Sequence, residues 1–245
     1  MEKNTLLKSG EKHPVLFELI LIIVSFLAAG LFSVAGSIFN VHPDLSSSVG
    51  RVVVAAVLFL IYRKAFQASR GGSVFTNPMI VLPALLFPVW NLFYNLSSGM
   101  TIGGLPFFVE GFITAIAPAL FEEVLFRGIF INNLRKNNKS DLFCLFVTAA
   151  VFALVHLTNI VGMDTVSVLL QLGYSFVIGL VLAAVYLKNK SLLQLVAVHF
   201  LIDFTTRIFI EQASAASTVH LIIFVVLLIV EAAYAIMITA KDSGI

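Results

Sequence analysis

The sequence is poor in charge and in cysteine, and each shortage excludes a class of protein. Of its 245 residues, 15 are Lys or Arg and 13 are Asp or Glu, so charged side chains make up only 11% of the chain. The basic residues form no face or patch interleaved with aromatic residues, so we expect no nucleic-acid partner. A single cysteine, Cys144, rules out an internal disulfide. It has no nearby basic residue to activate it, which favours a packing role over a nucleophilic one.

Long polar segments are also missing, so the sequence indicates no soluble domain. Hydrophobic residues make up 60% of the chain and the mean hydropathy is +1.04, well outside the balance of a soluble protein. We therefore predict an all-α, polytopic membrane helix bundle that forms a single integral membrane domain over residues 1–245. Eight apolar segments approach the roughly 20 residues needed to cross a bilayer. They lie near residues 15–38, 48–62, 79–96, 105–134, 141–158, 164–187, 191–210 and 218–240.

The basic residues support this count, because Lys and Arg accumulate in cytoplasmic loops. Most of them lie before the first segment or after the second, fourth, sixth and eighth: Lys3, Lys8, Lys12, Arg63, Lys64, Arg70, Arg135, Lys136, Lys139, Lys188, Lys190 and Lys241. The connections that follow the odd-numbered segments contain no Lys or Arg. This alternation predicts a multi-pass protein of the cell membrane with both termini in the cytoplasm. The first segment exceeds the roughly 7 to 15 residues of a signal-peptide core, so we expect it to be a retained helix.

Three charged residues, Glu122, Glu123 and Arg127, lie within six positions of the fourth segment. One charge at the centre of a bilayer helix costs about 2.5 to 3.5 kcal/mol on insertion scales, so three together indicate partners and a function. On a helix, Glu123 and Arg127 share one face and can pair, whereas Glu122 points elsewhere. Pro118 is expected to loosen the turn that precedes it. A purely structural clamp is the alternative, although a clamp needs only one glutamate.

The fifth and seventh segments also carry ionisable residues at helical spacing. Phe152 and His156 share a face at the end of the fifth segment, and His199 and Asp203 share a face of the seventh, with Arg207 one turn further. Taken alone, the first histidine could be an interfacial or packing residue, and the aspartate could form a clamp with Arg207. Burial of isolated ionisable groups on three helices would be very unfavourable. We therefore expect these groups and Glu122 of the fourth segment to converge on one site.

Such a site suits two kinds of chemistry. A carboxylate base, two imidazoles and a further acceptor can activate water against an amide and stabilise the oxyanion that forms. Imidazole nitrogens and carboxylate oxygens are also ordinary zinc ligands. Glu122, His156 and His199 are then the candidate ligands of a divalent metal such as zinc. The sequence does not decide between a metal-dependent and a metal-free site, and we favour the metal-free one.

The three patterns together resemble the CAAX protease and bacteriocin-processing (CPBP, Abi) family of intramembrane proteases, which is related to the eukaryotic CAAX prenyl protease 2. The family pattern is Glu-Glu-x-x-x-Arg, then Phe-x-x-x-His, then His-x-x-x-Asn or a similar small polar residue, on successive core helices. The run from Glu122 to Arg127 matches the first part, Phe152 and His156 match the second, and His199 begins the third. Asp203 departs from the family's asparagine. The resemblance covers about residues 110–207, which we predict to be the catalytic core.

The resemblance implies an endopeptidase that hydrolyses a membrane-associated peptide, either prenylated or of the leader type. In that interpretation Glu122 activates water with the help of His156, His199 and Asp203 stabilise the oxyanion, and the glutamate–arginine pair supports the catalytic helix. The implied partners are the lipid bilayer and a peptide or protein substrate. A non-proteolytic bacteriocin-immunity or scaffold protein of the same family is the alternative. A proton-coupled transporter is a third possibility, because intramembrane acids and histidines also form proton relays, but no inverted repeat is detectable.

Overall fold

The structure, a computed structural model, describes residues 13–66, 73–210 and 217–241. These ranges are helical almost throughout, which confirms the all-α polytopic bundle. The α-helices are α1 (Pro14–Ile38), α2 (Pro43–Phe66), α3 (Pro78–Val81), α4 (Leu86–Ser97), α5 (Leu105–Glu122), α6 (Asn132–Lys136), α7 (Asp141–Val155), α8 (Thr165–Asn189), α9 (Leu192–Arg207) and α10 (Thr218–Ala240).

Differently wound segments connect some of these helices. A 3-10 helix, Pro83–Leu85, separates α3 from α4, and another, His156–Val161, follows α7. A π-helix, Glu123–Ile131, joins α5 to α6 without a break. Two short strands, β1 (Thr101–Ile102) and β2 (Phe209–Ile210), pair antiparallel. This pairing ties the connection before α5 to the end of α9.

Six helices in the described ranges are long and apolar enough to cross a membrane, so the predicted count of eight is not confirmed. They are Pro14–Ile38, Pro43–Phe66, Leu105–Lys136, Asp141–Val161, Thr165–Asn189 and Thr218–Ala240. The predicted segment 79–96 is divided near Pro83, because proline lacks the backbone N–H that a continuous helix needs. The predicted segment 191–210 forms α9, whose 16 residues are fewer than the roughly 20 of a perpendicular span. The basic residues Lys3, Lys8, Lys12 and Arg70 lie outside the described residues.

The core of the bundle surrounds the junction between α5 and the π-helix. Phe121, Leu125, Phe126 and Phe130 are each fully buried there, in contact with the rest of the apolar cluster. By contrast, α1 and α10 expose Leu, Ile and Val side chains along most of their length. An apolar exterior around a buried, charge-bearing helix is the arrangement expected of a bundle that meets lipid.

In the segment that carries Glu122 and Arg127, the chain departs from α-helical geometry later than the sequence predicts. The α-helix continues through Pro118, and the wide π turns begin only at Glu123. π turns are rare in proteins, and those that occur are often at functional sites. A π-helix of nine residues is therefore an unusual segment. The side-chain amide of Asn132 donates to the backbone oxygen of Gly128 at 2.8 Å and of Arg127 at 3.2 Å. These bonds stabilise the end of the π-helix.

A glycine lets α8 approach α7 closely. A Cβ atom on Gly179 would lie 3.0 Å from the Cα of Ala149, closer than ordinary van der Waals contact. Ser175 and Ala183, one turn on either side, are also buried. The close approach exposes the backbone oxygen of Gly179 to the interior, where it contributes to the site described below.

Candidate active site

His199 lies at the centre of the predicted constellation. Its Nδ1 lies 2.7 Å from Glu123 Oε1, and its Nε2 lies 3.9 Å from Glu122 Oε2. The same Nε2 is 4.0 Å from Asp203 Oδ1, one turn further along α9. The structure therefore brings three of the predicted site residues, from two parts of the chain, against the imidazole ring of a fourth.

Glu123 fixes the orientation of this ring. An ionised carboxylate can only accept a hydrogen bond, so Nδ1–H of His199 is the donor and Nε2 faces Glu122 and Asp203. The sequence pattern predicts only the partnership of Glu123 with Arg127. It contains no signal for the bond to His199, which joins residues on two helices.

Arg127 is the buried counterion of the site. Its side chain is 1% exposed and donates to Glu123 Oε1 at 2.8 Å, as the spacing of the two residues predicts. It also donates to the backbone oxygen of Gly179 at 3.3 Å. Glu123 Oε1 thus accepts from Arg127 and from His199 at once, and it connects the guanidinium to the imidazole ring.

Phe152 separates the counterion from the cavity. Its ring centroid lies 4.6 Å from the guanidinium carbon of Arg127, within the range of a cation–π contact. The same centroid lies 5.2 Å from the ring of His156 and 6.0 Å from that of His199, both edge to face. The phenylalanine of the Phe-x-x-x-His pattern therefore positions both histidines as well as the arginine.

His156 begins the 3-10 helix after α7 and carries a defined tautomer. Its Nδ1 lies 2.8 Å from the backbone oxygen of Phe152, which can only accept, so Nδ1 is protonated. In the neutral ring, Nε2 is then free to accept a proton. His156 lines the same cavity as His199 and Asp203. Its predicted approach to Glu122 stays a prediction.

The cavity has a volume of about 490 Å³ and lies between α4, α7, α8, α9 and α10. This size is typical of sites for small organic ligands. Its wall combines polar residues, among them Asn91, Gln171, Asp203 and Arg207, with six aromatic side chains: Phe87, Trp90, Tyr94, Phe152, Tyr174 and Phe224. Glu122 is not among the residues that line it. The glutamate lies beside the cavity, next to His199 Nε2.

Two asparagines of α4 belong to the site although the sequence analysis does not single them out. Asn91 donates to the backbone oxygen of Ile202 at 2.9 Å, and Asn95 donates to that of Thr205 at 3.4 Å. Both bonds brace α9 beside Asp203. The sequence does contain a signal for this pair. Two asparagines four residues apart in an apolar segment lie on one helix face.

Asp203 is not clamped by Arg207. The ion pairs within the described ranges include Asp203 with His199 but not Asp203 with Arg207. The described ranges therefore do not contain the close ion pair that a structural aspartate–arginine clamp requires. Both residues line the cavity.

The predicted metal ligands do not fit a three-residue metal centre. Ligand atoms around zinc lie about 2.0 to 2.3 Å from the ion, so three of them must lie close together. The oxygen and nitrogen atoms of Glu122, His156 and His199 do not meet within 4.8 Å of one another. In the described part of the chain, the group that does so consists of exposed residues outside this site: His42, Asp44 and Glu110.

Comparison with known proteins gives one match. Residues 104–205 match the family model described as type II CAAX prenyl endopeptidase Rce1-like. No curated protein and no solved structure matches the chain. The matched segment contains every residue that meets at His199, together with Arg127, Phe152 and His156. Residues 104–205, which are under half of the chain, are therefore similar to the Rce1-like family of type II CAAX prenyl endopeptidases.

Proposed function

We propose that this protein is an intramembrane endopeptidase that hydrolyses a peptide bond of a membrane-associated substrate with water activated by Glu122 and His156. The observation that carries the proposal is the orientation of His199. Glu123 holds one nitrogen of the ring, and the other faces Glu122 and Asp203 at the edge of an aromatic-walled cavity. A purely structural cluster has no need of the cavity.

In this mechanism, Glu122 and His156 activate the attacking water. Glu122 Oε2 accepts a proton from water as the oxygen attacks the substrate carbonyl, and the resulting acid returns the proton to the departing amine. The unprotonated Nε2 of His156 can hold the second hydrogen of the water, because its Nδ1 already donates to Phe152. Each transferred proton is accounted for by water and the carboxylate, so no further reactant is needed.

In this mechanism, His199 stabilises the oxyanion. As an imidazolium it donates from Nδ1 to Glu123 and directs Nε2–H toward the space between Glu122 and Asp203. A positively charged donor is most effective in a buried site, where the dielectric screening is weak. The salt bridge of Arg127 with Glu123 neutralises the charge behind the ring.

The substrate class follows from the cavity wall and the family. A prenylated or leader-type peptide offers apolar groups that match the aromatic side chains of the cavity. Because the three candidate ligands are not gathered at metal-binding spacing, we derive no step through a metal. The mechanism rests on the side chains alone.

Cleavage of a farnesylated peptide ending in Cys-aliphatic-aliphatic-X by the protein purified in detergent tests this function. Glu122→Gln should abolish cleavage, since the amide keeps the shape of the side chain but cannot accept the proton. Glu110→Gln is the matched control, because Glu110 is an exposed glutamate of the same helix outside the site. Cleavage at wild-type rate by the Glu122→Gln variant would refute the assignment and would favour a non-proteolytic immunity or scaffold role.

A further inference from the structure

The bundle has one basic end. In the described ranges, basic residues cluster after α2, between α6 and α7, after α8 and after α10: Arg63, Lys64, Arg135, Lys136, Lys139, Lys188, Lys190 and Lys241. Arg135 forms an ion pair with Asp141 at the start of α7. Burial lowers the pKa of Lys190 to about 8, with Arg135 nearby as a second cause. The connection between α6 and α7 and the connection after α8 therefore lie close together at this end.

The cavity lies toward the opposite end. Tyr94 and Asn95 belong to the last turn of α4, Thr206 to the last turn of α9, and His220 and Leu221 to the first turn of α10. All three turns adjoin connections that contain no Lys or Arg. The cavity is thus built from the ends of helices that point away from the basic end.

Helix geometry gives the depth of the cavity. With a rise of about 1.5 Å per residue, His199 lies about 10 Å above the start of α9 and Thr206 about 21 Å above it. The ring of His199 is therefore deep within the bundle, and the cavity continues from it toward the end whose connections contain no Lys or Arg. Arg207, in the last turn of α9, lines the cavity near that end. A route from the basic end would have to pass the buried Glu123–Arg127 pair and the packed residues around it.

We propose that the substrate enters the cavity from the non-cytoplasmic side of the membrane, as a membrane-anchored peptide whose cleaved segment lies in the outer half of the bilayer. The positive-inside rule assigns the basic end to the cytoplasm, which places the mouth of the cavity on the other side. This inference rests on the proposed function, which identifies the molecule that enters the cavity as a peptide substrate. Its consequence is that exported peptides, rather than peptides exposed in the cytoplasm, are the substrates.

The rim of the cavity suits an apolar peptide. The rings of Trp90 and Phe224 stack across α4 and α10 with centroids 5.9 Å apart and planes 16° apart. His220 bridges the same two helix ends, since its ring nitrogens lie 2.9 Å from Ser97 Oγ and 3.0 Å from Ser217 Oγ. An aromatic rim whose two helices are joined by these hydrogen bonds offers contact area to an organic chain.

Cysteine labelling in intact cells tests the side of entry without requiring catalysis. Cys144 is the chain's one cysteine and is buried, so Cys144→Ala gives a background without thiols. Thr206→Cys and Leu221→Cys place thiols at exposed positions in the cavity lining. Lys136→Cys, at the exposed basic end, is the matched control. The probe is a membrane-impermeant cationic methanethiosulfonate added outside the cells.

We expect the external reagent to label Thr206→Cys and Leu221→Cys, and to leave Lys136→Cys unlabelled until the cells are permeabilised. Labelling of the two cavity variants only after permeabilisation would overturn the proposal. So would the absence of labelling at both positions in membranes, because the cavity would then be closed to water.

Activity in detergent separates this inference from the proposed function. The labelled Thr206→Cys variant should lose cleavage of the farnesylated peptide relative to the same variant before labelling, and labelled Lys136→Cys should not. Full retention by labelled Thr206→Cys would show that substrate does not use this cavity. Failure of the wild-type protein to cleave any peptide would contradict the proposed function, while the labelling pattern would still decide which side the cavity faces.

Discussion

Glu123 and His199 share a 2.7 Å hydrogen bond although 76 positions separate them in the sequence. The same carboxylate oxygen accepts from Arg127, so one buried atom connects the counterion, the helix that carries Glu122 and the imidazole ring. A shared acceptor makes the three residues interdependent. Removal of one partner leaves the others with buried, uncompensated charge.

This dependence predicts the outcome of a double-mutant cycle on Glu123 and Arg127. Each single alanine variant should lose about 3 to 5 kcal/mol of stability, because it leaves one unpaired buried charge. The double variant should lose less than the sum of the two. Thermal unfolding of the purified proteins in one detergent measures all four members of the cycle. Strictly additive losses would show that the pair is not energetically coupled.

Phe152→Leu should reduce activity more than stability. The leucine side chain keeps an apolar group in the core, but it removes the cation–π contact with Arg127 and the ring contacts with both histidines. We expect kcat to fall by roughly tenfold or more, as for a small displacement of catalytic groups, while KM changes little. Phe146→Leu is the control, since Phe146 is an exposed phenylalanine of the same helix. Equal effects of the two substitutions would argue against a positioning role.

Asn91→Leu tests the brace on α9. The substitution removes the side-chain amide that donates to the backbone oxygen of Ile202. That oxygen still accepts from Thr205 Oγ1, so we expect a loss of about 0.5 to 1.5 kcal/mol, the net contribution of one hydrogen bond. Peptide cleavage should fall along with the unfolding temperature, because α9 carries both His199 and Asp203. Normal cleavage by a destabilised Asn91→Leu protein would show that the brace supports the fold but not the geometry of the site.

Particular residues show how far the sequence predicts this site. The high cost of intramembrane charge correctly predicts that Glu122 and His199 meet, and the spacing of Glu123 and Arg127 predicts their pairing. The bond from Glu123 to His199 depends on how α5 and α9 cross, which spacing along one helix does not encode. The π-helix and the brace from Asn91 are likewise products of packing, and hydropathy alone does not reveal that segment 79–96 is divided.

Metal removal should leave the activity unchanged. The candidate ligands Glu122, His156 and His199 are not gathered at ligand spacing, so we expect the purified, active protein to contain less than one equivalent of zinc. Dialysis against a chelator should not alter the rate of peptide cleavage. Stoichiometric metal that is lost together with activity, and restored with it, would contradict this expectation.

Asp203→Asn is the most discriminating substitution, because it changes the chain toward the commoner residue of the family it resembles. Asp203 Oδ1 lies 4.0 Å from the nitrogen of His199 that we assign to the oxyanion. An anion there repels the developing negative charge, whereas a neutral amide can donate a hydrogen bond to it. Cleavage by Asp203→Asn should therefore equal or exceed that of the wild-type protein.

The same geometry determines the expected change in the cleavage rate and the choice of control variant. A gain of up to roughly tenfold corresponds to about 1.4 kcal/mol of transition-state stabilisation, which one added hydrogen bond can supply. Asp203→Ala is the control, since it removes the charge without adding a donor, and it should fall between the wild-type protein and Asp203→Asn. A large loss of activity in Asp203→Asn, with the fold intact, would show that the negative charge of Asp203 is required. The carboxylate would then act on His199 or on the water, and the oxyanion would have to be stabilised by His199 alone.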